Sequence, residues 1–581
     1  MRPSSFALAE SLDRHLGDPH DAGNVFSFTH SLALDDSETF PDAACGALED
    51  WGIQDYYVPS AHGGALAHYD DVLQLMRMVA RRDLTVAIGH GKTYLGAVCA
   101  WVGANSEQAS ALGARIRNRA IVSLGLTERA HGSDLFASDF AARPAGGGFR
   151  LSGEKWLINN ATRSELLCLL AMTGAERGAR ASSLFLVDKQ DVPGDAIRCL
   201  PKVRTHGIRG ADISGVELRD APVPGTTLIG ERGAGLHILL KALQITRTMC
   251  AALSLGAGDT ALRLVSNFVL ERELYGRALI DMPSARRIVA DALADLLIAE
   301  IVATSAARGI DTLPAEASVS GAVTKYLVPS GMDATIAQLG SLLGARAYLK
   351  DVYVGGLFQK VERDQRIVGL FDGNTLVNLQ TLVTQGRTLA RGYTRSRGSA
   401  ADLEQTFALD RDPGTLDPGQ LRMTAAGGSS VLNAFADAAG QLAALAHGDR
   451  GLRNAVRLTR RLLDITGQVH ASLAVQPARV DRIEPETFQA AKQYTLCFAA
   501  ASAVLTYLHN HDRAVSGPTA PLWADAVWLR ATLARLLGRL QGHDEATAAE
   551  VDLLVEPLVA QTRARSLYSL FHLPLMDGAS C

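Results

Sequence analysis

The stretch LGLTERAHGSDLFASDFAARPAGGGFRLSGEKWLINNAT, residues 124–162, carries the densest chemical signal in the chain. Its turn of Gly, Ser and Asp offers backbone N–H groups and a hydroxyl suited to a phosphate, and the following segment reads as an edge strand bearing a large aromatic. By spacing alone it is two strands and their loops. It sits within a wider tract, from Ile121 to about Gly230, of short β-branched or aromatic runs punctuated by Gly, Pro and Asp: AIVSLGLT, GFRLSGEKWLI, ELLCLLAMT, SSLFLVDK and SGVELRDAPVP.

On both sides the texture is helical. Upstream, DDVLQLMRMVARR places Val72, Leu75, Met76 and Val79 on one face with the charges largely elsewhere. Downstream of GERGAG, long periodic segments continue to about Leu389, of the length that pairs in bundles. RGYTRSRGSAADLEQ, from Arg391, reads as a linker, and Ala- and Leu-rich helical pattern follows before a short tail. The expectation is a mainly α protein with a central β domain: an N-terminal helical domain over 1–120, a small β-barrel or sandwich over 121–230, a C-terminal four-helix bundle over 231–390, and an additional C-terminal helical domain over 391–581. No internal repeat or low-complexity tract interrupts this order.

Composition narrows the function classes. With 47% hydrophobic and 20% charged residues, the 581-residue chain buries a large core. A formal charge of -4 gives no global attraction to nucleic acid. Seven cysteines without a CxxC pair point away from a disulfide scaffold or zinc ribbon and toward a reducing cytosol, and no metal site is expected. The start resembles neither a secretory signal nor a transit peptide. The longest apolar run, Tyr494 to Leu508, is short for a spanning helix and predicts a buried core helix, with membrane contact the lesser reading.

The 124–162 stretch resembles the acyl-CoA dehydrogenases, whose chains carry T-E-x-x-x-G-S-D and then G-x-K-W-I-x-N. Thr127, Glu128, Gly132, Ser133, Asp134, Gly153, Lys155, Trp156 and Asn159 match that pattern. RELYGRALIDMP is similar to the family's R-x-x-F-G segment through Arg272, Tyr275 and Gly276; SLLGARAYL is similar to its Q-x-L-G-G-x-G-Y turn; ERDQRIVGLFDGNTLVNL is similar to R-D-x-x-I-x-x-I-Y-E-G-T. The likeness covers roughly residues 1–390. From about Asp402 the chain resembles, in length and texture, the helical extension of the very-long-chain branch.

The resemblance implies FAD and α,β-dehydrogenation of an acyl thioester, carried by CoA or by an acyl carrier protein. By carry-over, the Leu126 backbone and Thr127 hydroxyl meet the flavin pyrimidine edge, Ser133 contacts cofactor phosphate or substrate, and Trp156 lies against the isoalloxazine. Arg272, with Tyr275 beside it, reaches the FAD pyrophosphate of a neighbouring subunit, which implies a homo-oligomer, here a homodimer. An electron-transfer flavoprotein is the implied acceptor.

The chemistry requires a carboxylate to take a proton from the carbon next to a thioester carbonyl while hydrogen bonds stabilise the enolate-like oxygen. The family's base is the Glu of Y-E-G-T; here it is Asp372, flanked by Phe371 and Gly373, with the carboxylate withdrawn by up to about 1.5 Å. A subset of the family places its base on the first bundle helix, just before an Arg; the matching positions are Thr246 and Arg247, and Thr246 is no carboxylate. Other departures are Ile158 where a Thr or Ser contacts the flavin, leaving Asn159, Asn160 or a backbone group to substitute; Ser341 in place of Gln if Gly344 is aligned; Ala345 and Ala347 in place of glycines; and Asn374 in place of Thr. A flavin monooxygenase or oxidase on the same scaffold, and a non-catalytic acyl-binding member, are the other readings. His131 and His206 read as loop hydrogen-bonders, and Cys168 and Cys250 as buried and inert. In the extension, Arg453, Arg457, Arg460 and Arg461 fall near one helix face, with Leu452, Val456, Leu463 and Ile465 elsewhere; the stripe is either a solvated face or a dock for anionic lipid or an acidic carrier protein.

Overall fold

Eight strands between Val122 and Ile229 form one mixed sheet: β1 (Val122–Gly125), β2 (Ala141–Ala145), β3 (Gly148–Asn159), β4 (Leu166–Met172), β5 (Ser182–Asp188), β6 (Ile197–Leu200), β7 (Ile213–Pro224) and β8 (Leu228–Ile229), in the order β6-β7-β3-β2-β4-β5-β8 with β1 parallel to β4. The five expected runs are β1, β3, β4, β5 and β7. The short strands β2, β6 and β8 lack a strong apolar run, because they are recruited by pairing with long neighbours rather than by their own pattern. The computed structural model describes residues 4–174, 178–395, 399–475, 484–513, 515–542 and 544–578; Cys581 lies outside them.

The chain divides into two units. One comprises residues 29–67 and 83–246. Its sheet encloses a core of Phe140, Leu151, Leu167, Leu169, Phe185, Val216, Leu218 and Val223. The helix Leu84–Gly103, capped by the Asp83 carboxylate accepting from the Thr85 N–H at 2.7 Å, packs beside β1. β3 is bulged twice against β7, at 151/153 and 156/158. At the first bulge Gly153 has φ +135, and an added Cβ would lie 2.9 Å from the Phe140 Cα, so glycine is required there.

The other unit comprises residues 4–28, 68–82 and 247–578. The helices Pro283–Thr312, Ala317–Leu343 and Thr375–Arg395 pack together, and the C-terminal helices Arg450–Ala474, Pro485–Leu508 and Val527–Gln541 pack on them. Most of the described part of the expected linker is helical instead: the helix Thr375–Arg395 extends into its first residues and another spans Ala400–Phe407, while 396–398 lie outside the described residues. Packing overrides its polar composition, since Tyr393 stacks on His470 with centroids 3.9 Å apart. Tyr494 to Tyr507 are buried, as a core helix demands. The helix Gly235–Glu271 is long and apolar enough to cross a membrane, contrary to the reading that no segment reaches that length; 89% of its apolar window is buried within the protein.

Asp70 and the three arginines of DDVLQLMRMVARR are buried, while Asp71 is half-buried. Arg77 pairs with Glu300 at 2.7 Å, Arg82 with Asp13 at 2.7 Å, and Arg81 with Asp259 at 2.9 Å and also with Asp577. The tail is a strap held by the same groups: the Tyr568 N–H donates to Asp259, the Leu570 N–H to Glu300, and the Met576 N–H to Asp13. Burial works to raise the Asp577 pKa, but the Arg81, Arg263 and Arg82 guanidiniums outweigh it and hold the carboxyl well below its usual range.

Candidate functional site

In the sheet-bearing unit, the loop after β1 is bolted to β3. The Trp156 N–H donates to the Thr127 carbonyl at 2.8 Å. Lys155, 0% exposed, donates to the Leu126 carbonyl at 3.1 Å and to Glu128 Oε1 at 2.7 Å. Glu128 also accepts from the Ser138 hydroxyl and from the Asp139 and Phe140 N–H groups. This explains the spacing of T-E and K-W in physical terms: one buried lysine and one buried glutamate join two segments 27 residues apart. Burial alone would raise the Glu128 pKa, yet the Lys155 ammonium and these hydrogen bonds leave it below the ordinary value; burial lowers Lys155, with Glu128 opposing.

The pinned loop presents half-buried Leu126 and Thr127, exposed Ser133, and a half-buried Trp156 covered by Arg129 at 4.8 Å from its ring. Neither the Thr127 nor the Ser133 hydroxyl has a hydrogen-bond partner among the described residues, and Phe136 and Leu157 expose apolar surface nearby in sequence. A flavin needs donors for its pyrimidine edge and phosphates and apolar surface for its ring, so these residues fit FAD. Ile158, only 3% exposed, turns inward after the bulge at Leu157 (φ +57) and offers no polar atom from its side chain. Asn159 is half-buried, its carbonyl accepting from the Ser123 hydroxyl at 2.7 Å; Asn160 is buried and donates to the Gly89 carbonyl at 2.7 Å. Thr246 is buried, its hydroxyl 3.5 Å from the Leu243 carbonyl.

In the helical unit, Asp372 lies in a turn ahead of the helix Thr375–Arg395, with φ +53 at Asp372 and φ +85 at Gly373. Helix capping falls to Asn374, whose Oδ1 accepts from the Val377 N–H at 3.0 Å; Asn378 donates to the Gly373 and Asn374 carbonyls at 2.9 and 2.8 Å. Arg247 Nε donates to the Asp372 carbonyl at 3.1 Å, and an added Cβ at Gly373 would lie 3.0 Å from Arg247 Nη2. The Cys250 thiol lies 3.4 Å from Asp372 Oδ2. Burial depresses the Arg247 pKa, with Asp372 and Cys250 opposing. Half-buried Phe371 faces the buried Lys325 ammonium at 5.3 Å, and Lys325 also donates to the Val368 carbonyl.

Arg272 and Tyr275 occupy a two-stranded hairpin, Glu273–Leu274 with Arg277–Ala278, whose turn residues Tyr275 and Gly276 both have φ above zero. Tyr275 is 96% exposed and Arg272 is exposed without an ion-pair partner among the described residues. Ser341 and Gly344 are also exposed, Ser341 donating to the Gln338 carbonyl at 2.6 Å. The segment after them is anchored on Phe268, which stacks edge-on with Tyr353 and lies under Arg346. Tyr348, Leu349 and Val352 are exposed there.

The remaining expected features are peripheral to these two groups. His131 pairs with Asp139 at 3.2 Å, and His206 is exposed. Glu128, His131 and Asp139 hold ligand atoms within 4.8 Å of one another, but Glu128 is already satisfied by Lys155, Ser138 and backbone N–H groups. Cys168 is buried in β4. On the helix Arg450–Ala474, Leu452, Val456 and Ile465 are buried and Leu463 half-buried. Arg453, Arg457, Arg460 and Arg461 line an open groove of about 710 Å³ with Ala443, His447 and Asp464; Arg461 is tied to Gln541 at 2.8 Å. Leu473 on this helix packs against Gly386, and His470 against Tyr393.

Sequence reading missed two participants. The Cys250 contact was legible as spacing: it stands three residues after Arg247 and so shares its helix face. The buried charge of Lys155 had only the motif as a signal.

Residues 123–221 match the acyl-CoA dehydrogenase middle domain and residues 233–386 the acyl-CoA dehydrogenase C-terminal domain. The probable acyl-CoA dehydrogenase FadE25 of Mycobacterium tuberculosis is 26% identical over 364 residues, covering 62% of this chain and 91% of that protein. Cyclohex-1-ene-1-carbonyl-CoA dehydrogenase of Geobacter metallireducens is 24% identical over 362 residues, covering 62% and 92%. Among solved structures, butyryl-CoA dehydrogenase from Megasphaera elsdenii shares the fold with a TM-score of 0.59 at 20% identity, over 65% of this chain and 95% of that one. The prolyl acyl carrier protein oxidase AnaB does so with a TM-score of 0.59 at 16% identity, over 65% and 97%.

Proposed function

The chain belongs to the acyl-CoA dehydrogenase family, oxidoreductases acting on CH–CH bonds, and from that premise we propose that it converts an acyl thioester to the 2-enoyl thioester with Asp372 as the base. FAD, when bound, supplies the hydride acceptor for the β-carbon.

The observation that carries this reading is the Asp372 turn. Asn374 caps the following helix with its own side chain, and the Asp372 carboxylate meets the Cys250 thiol at 3.4 Å. Arg247 holds the main chain at Asp372 through its carbonyl, which fixes where a side chain one methylene shorter than glutamate begins. Asp372 then takes the proton from the carbon next to the thioester carbonyl. Leu126, Thr127, Ser133 and Trp156 are proposed to hold the cofactor, supported by uncommitted hydroxyls on a loop that Lys155 and Glu128 keep rigid.

Arg272 is proposed to reach a cofactor phosphate in a second copy of the chain. Its exposure, and the apolar surface of Tyr275, Tyr348, Leu349 and Val352, support a homodimer. An electron-transfer flavoprotein as acceptor and a cytosolic location complete the proposal, the latter supported by six free cysteines among the described residues.

The carrier of the acyl group is CoA or an acyl carrier protein. The AnaB likeness admits the carrier, and the groove lined by Arg453, Arg457, Arg460 and Arg461 offers an acidic carrier a basic surface. The buried, apolar Ile158 favours an oxidase as the second reading, since a side-chain donor expected at that position is missing.

Anaerobic titration of the yellow protein with CoA and carrier thioesters tests the dehydrogenase. Bleaching that is abolished by Asp372→Asn and retained by Asp372→Glu is expected; bleaching of Asp372→Asn at the parent rate overturns Asp372 as base. Fast reoxidation by oxygen in stopped flow selects the oxidase.

A further inference from the structure

The thiol of Cys250 lies 3.4 Å from Asp372 Oδ2 and is only 4% exposed. The cysteine stands on the helix Gly235–Glu271, three residues beyond Arg247, so thiol and guanidinium leave the same helix face and meet the Asp372 residue at its carboxylate and its carbonyl respectively. Both contacts lie within one unit and join a rigid helix to a turn whose backbone is in the left-handed region at Asp372 and Gly373. Such a turn holds its shape only where its surroundings over-determine it.

We propose that Cys250 is a positioning residue for the base: its S–H donates to Asp372 Oδ2, orients the short carboxylate and stabilises its charged form. The inference rests on the reading of Asp372 as the base. Its physical content is specific. A donor to a carboxylate favours the ionised state, so the acid limb of the pH–rate profile lies lower with the thiol than without it. For a hydrogen bond of ordinary net strength, losing the donor raises that limb by about half to one pH unit. Serine keeps an O–H donor at the same place; valine fills the space and keeps none.

The test is the pH dependence of kcat/KM for an acyl thioester in the parent, Cys250→Val and Cys250→Ser, with Asp372→Asn alongside. The acid limb should move up in Cys250→Val and return to the parent position or below in Cys250→Ser. A limb unmoved in Cys250→Val, with Asp372→Asn inactive, overturns the role of Cys250 and leaves the base intact. Full activity of Asp372→Asn overturns both. A second measurement does not depend on turnover or on the cofactor. The S–H stretching band of Cys250, assigned by its loss in Cys250→Val, should shift to higher frequency in Asp372→Asn, because an amide is a weaker acceptor than a carboxylate. A band that stays in place shows that the thiol does not donate to Asp372 and overturns the proposal.

Discussion

Replacing Lys155 by Met removes a buried ammonium and leaves Glu128 with its Ser138 and backbone donors but no counter-charge. Lys155 is 0% exposed and bonds both Glu128 and the Leu126 carbonyl. Breaking a buried pair from one side costs about 3–5 kcal/mol, which in a unit of 150–250 residues lowers Tm by about 6–20 °C. Glu128→Gln, the opposite half, should cost a similar amount. The combined variant carries no unpaired buried charge, so it should recover part of the loss rather than add the two. Thermal unfolding followed by circular dichroism reads the stability, and FAD retained after desalting reads the loop, because Leu126 and Thr127 lose their anchor together. The reasoning fails if Lys155→Met unfolds within a degree of the parent, or if the double variant shows the full sum of the single losses.

Three other outcomes follow from contacts described above. Asp577→Asn should cost about 1–3 kcal/mol near neutral pH by taking from Arg81 one of its two buried counter-ions, Asp259 remaining; because the folded pKa is depressed, the stabilisation is fully present above the ordinary carboxylate value and fades as pH falls below about 4, so the gap from the parent in urea melts should narrow in acid. Asp311 has the opposite sign: burial first, then Asp70, push it up to about 8 against the hydrogen bond from the Tyr69 N–H. Asp311→Asn should therefore match the parent near pH 4, gain on it as pH rises, and level off beyond about pH 8; parallel Tm curves would contradict this. Gly373→Ala forces a Cβ toward Arg247 at φ +85, with about 1–2 kcal/mol of backbone strain. Anaerobic bleaching by an acyl thioester should slow while FAD content stays unchanged, and an unaltered rate would show that the turn tolerates the side chain.

The order of helices, sheet and helices is legible because alternation and the 3.6-residue period survive without knowledge of tertiary contacts. β2, β6 and β8 escaped because pairing, not pattern, makes them strands. The stretch from Arg391 misled for the reverse reason: its polar residues suit a loop, and only Tyr393 lying on His470 shows why it is helical. The motif positions singled out the loop after β1 and the turn before the helix Thr375–Arg395, and the family resemblance named Asp372 as the proposed base. The thiol of Cys250 was read as inert because an apolar run conceals which neighbour a buried cysteine will meet. That the arginines of residues 77–82, read only as lying off the apolar face, are buried was not legible, because their partners are remote in sequence and a local pattern carries no information about Asp577.

That remoteness has a consequence for biosynthesis. Arg81 and Asp577 are 496 residues apart, so at a ribosomal rate of about 5–20 residues per second the guanidinium waits on the order of 25–100 s for its distant counter-ion. Until the strap arrives, Arg81 has Asp259 as its buried counter-ion and lacks Asp577, so the helix Tyr69–Arg82 completes its set of ion pairs only after Glu300 and Asp259 are already in place. A chain cut before the strap leaves Asp259, Glu300 and Asp13 without the N–H groups of Tyr568, Leu570 and Met576 that they accept from.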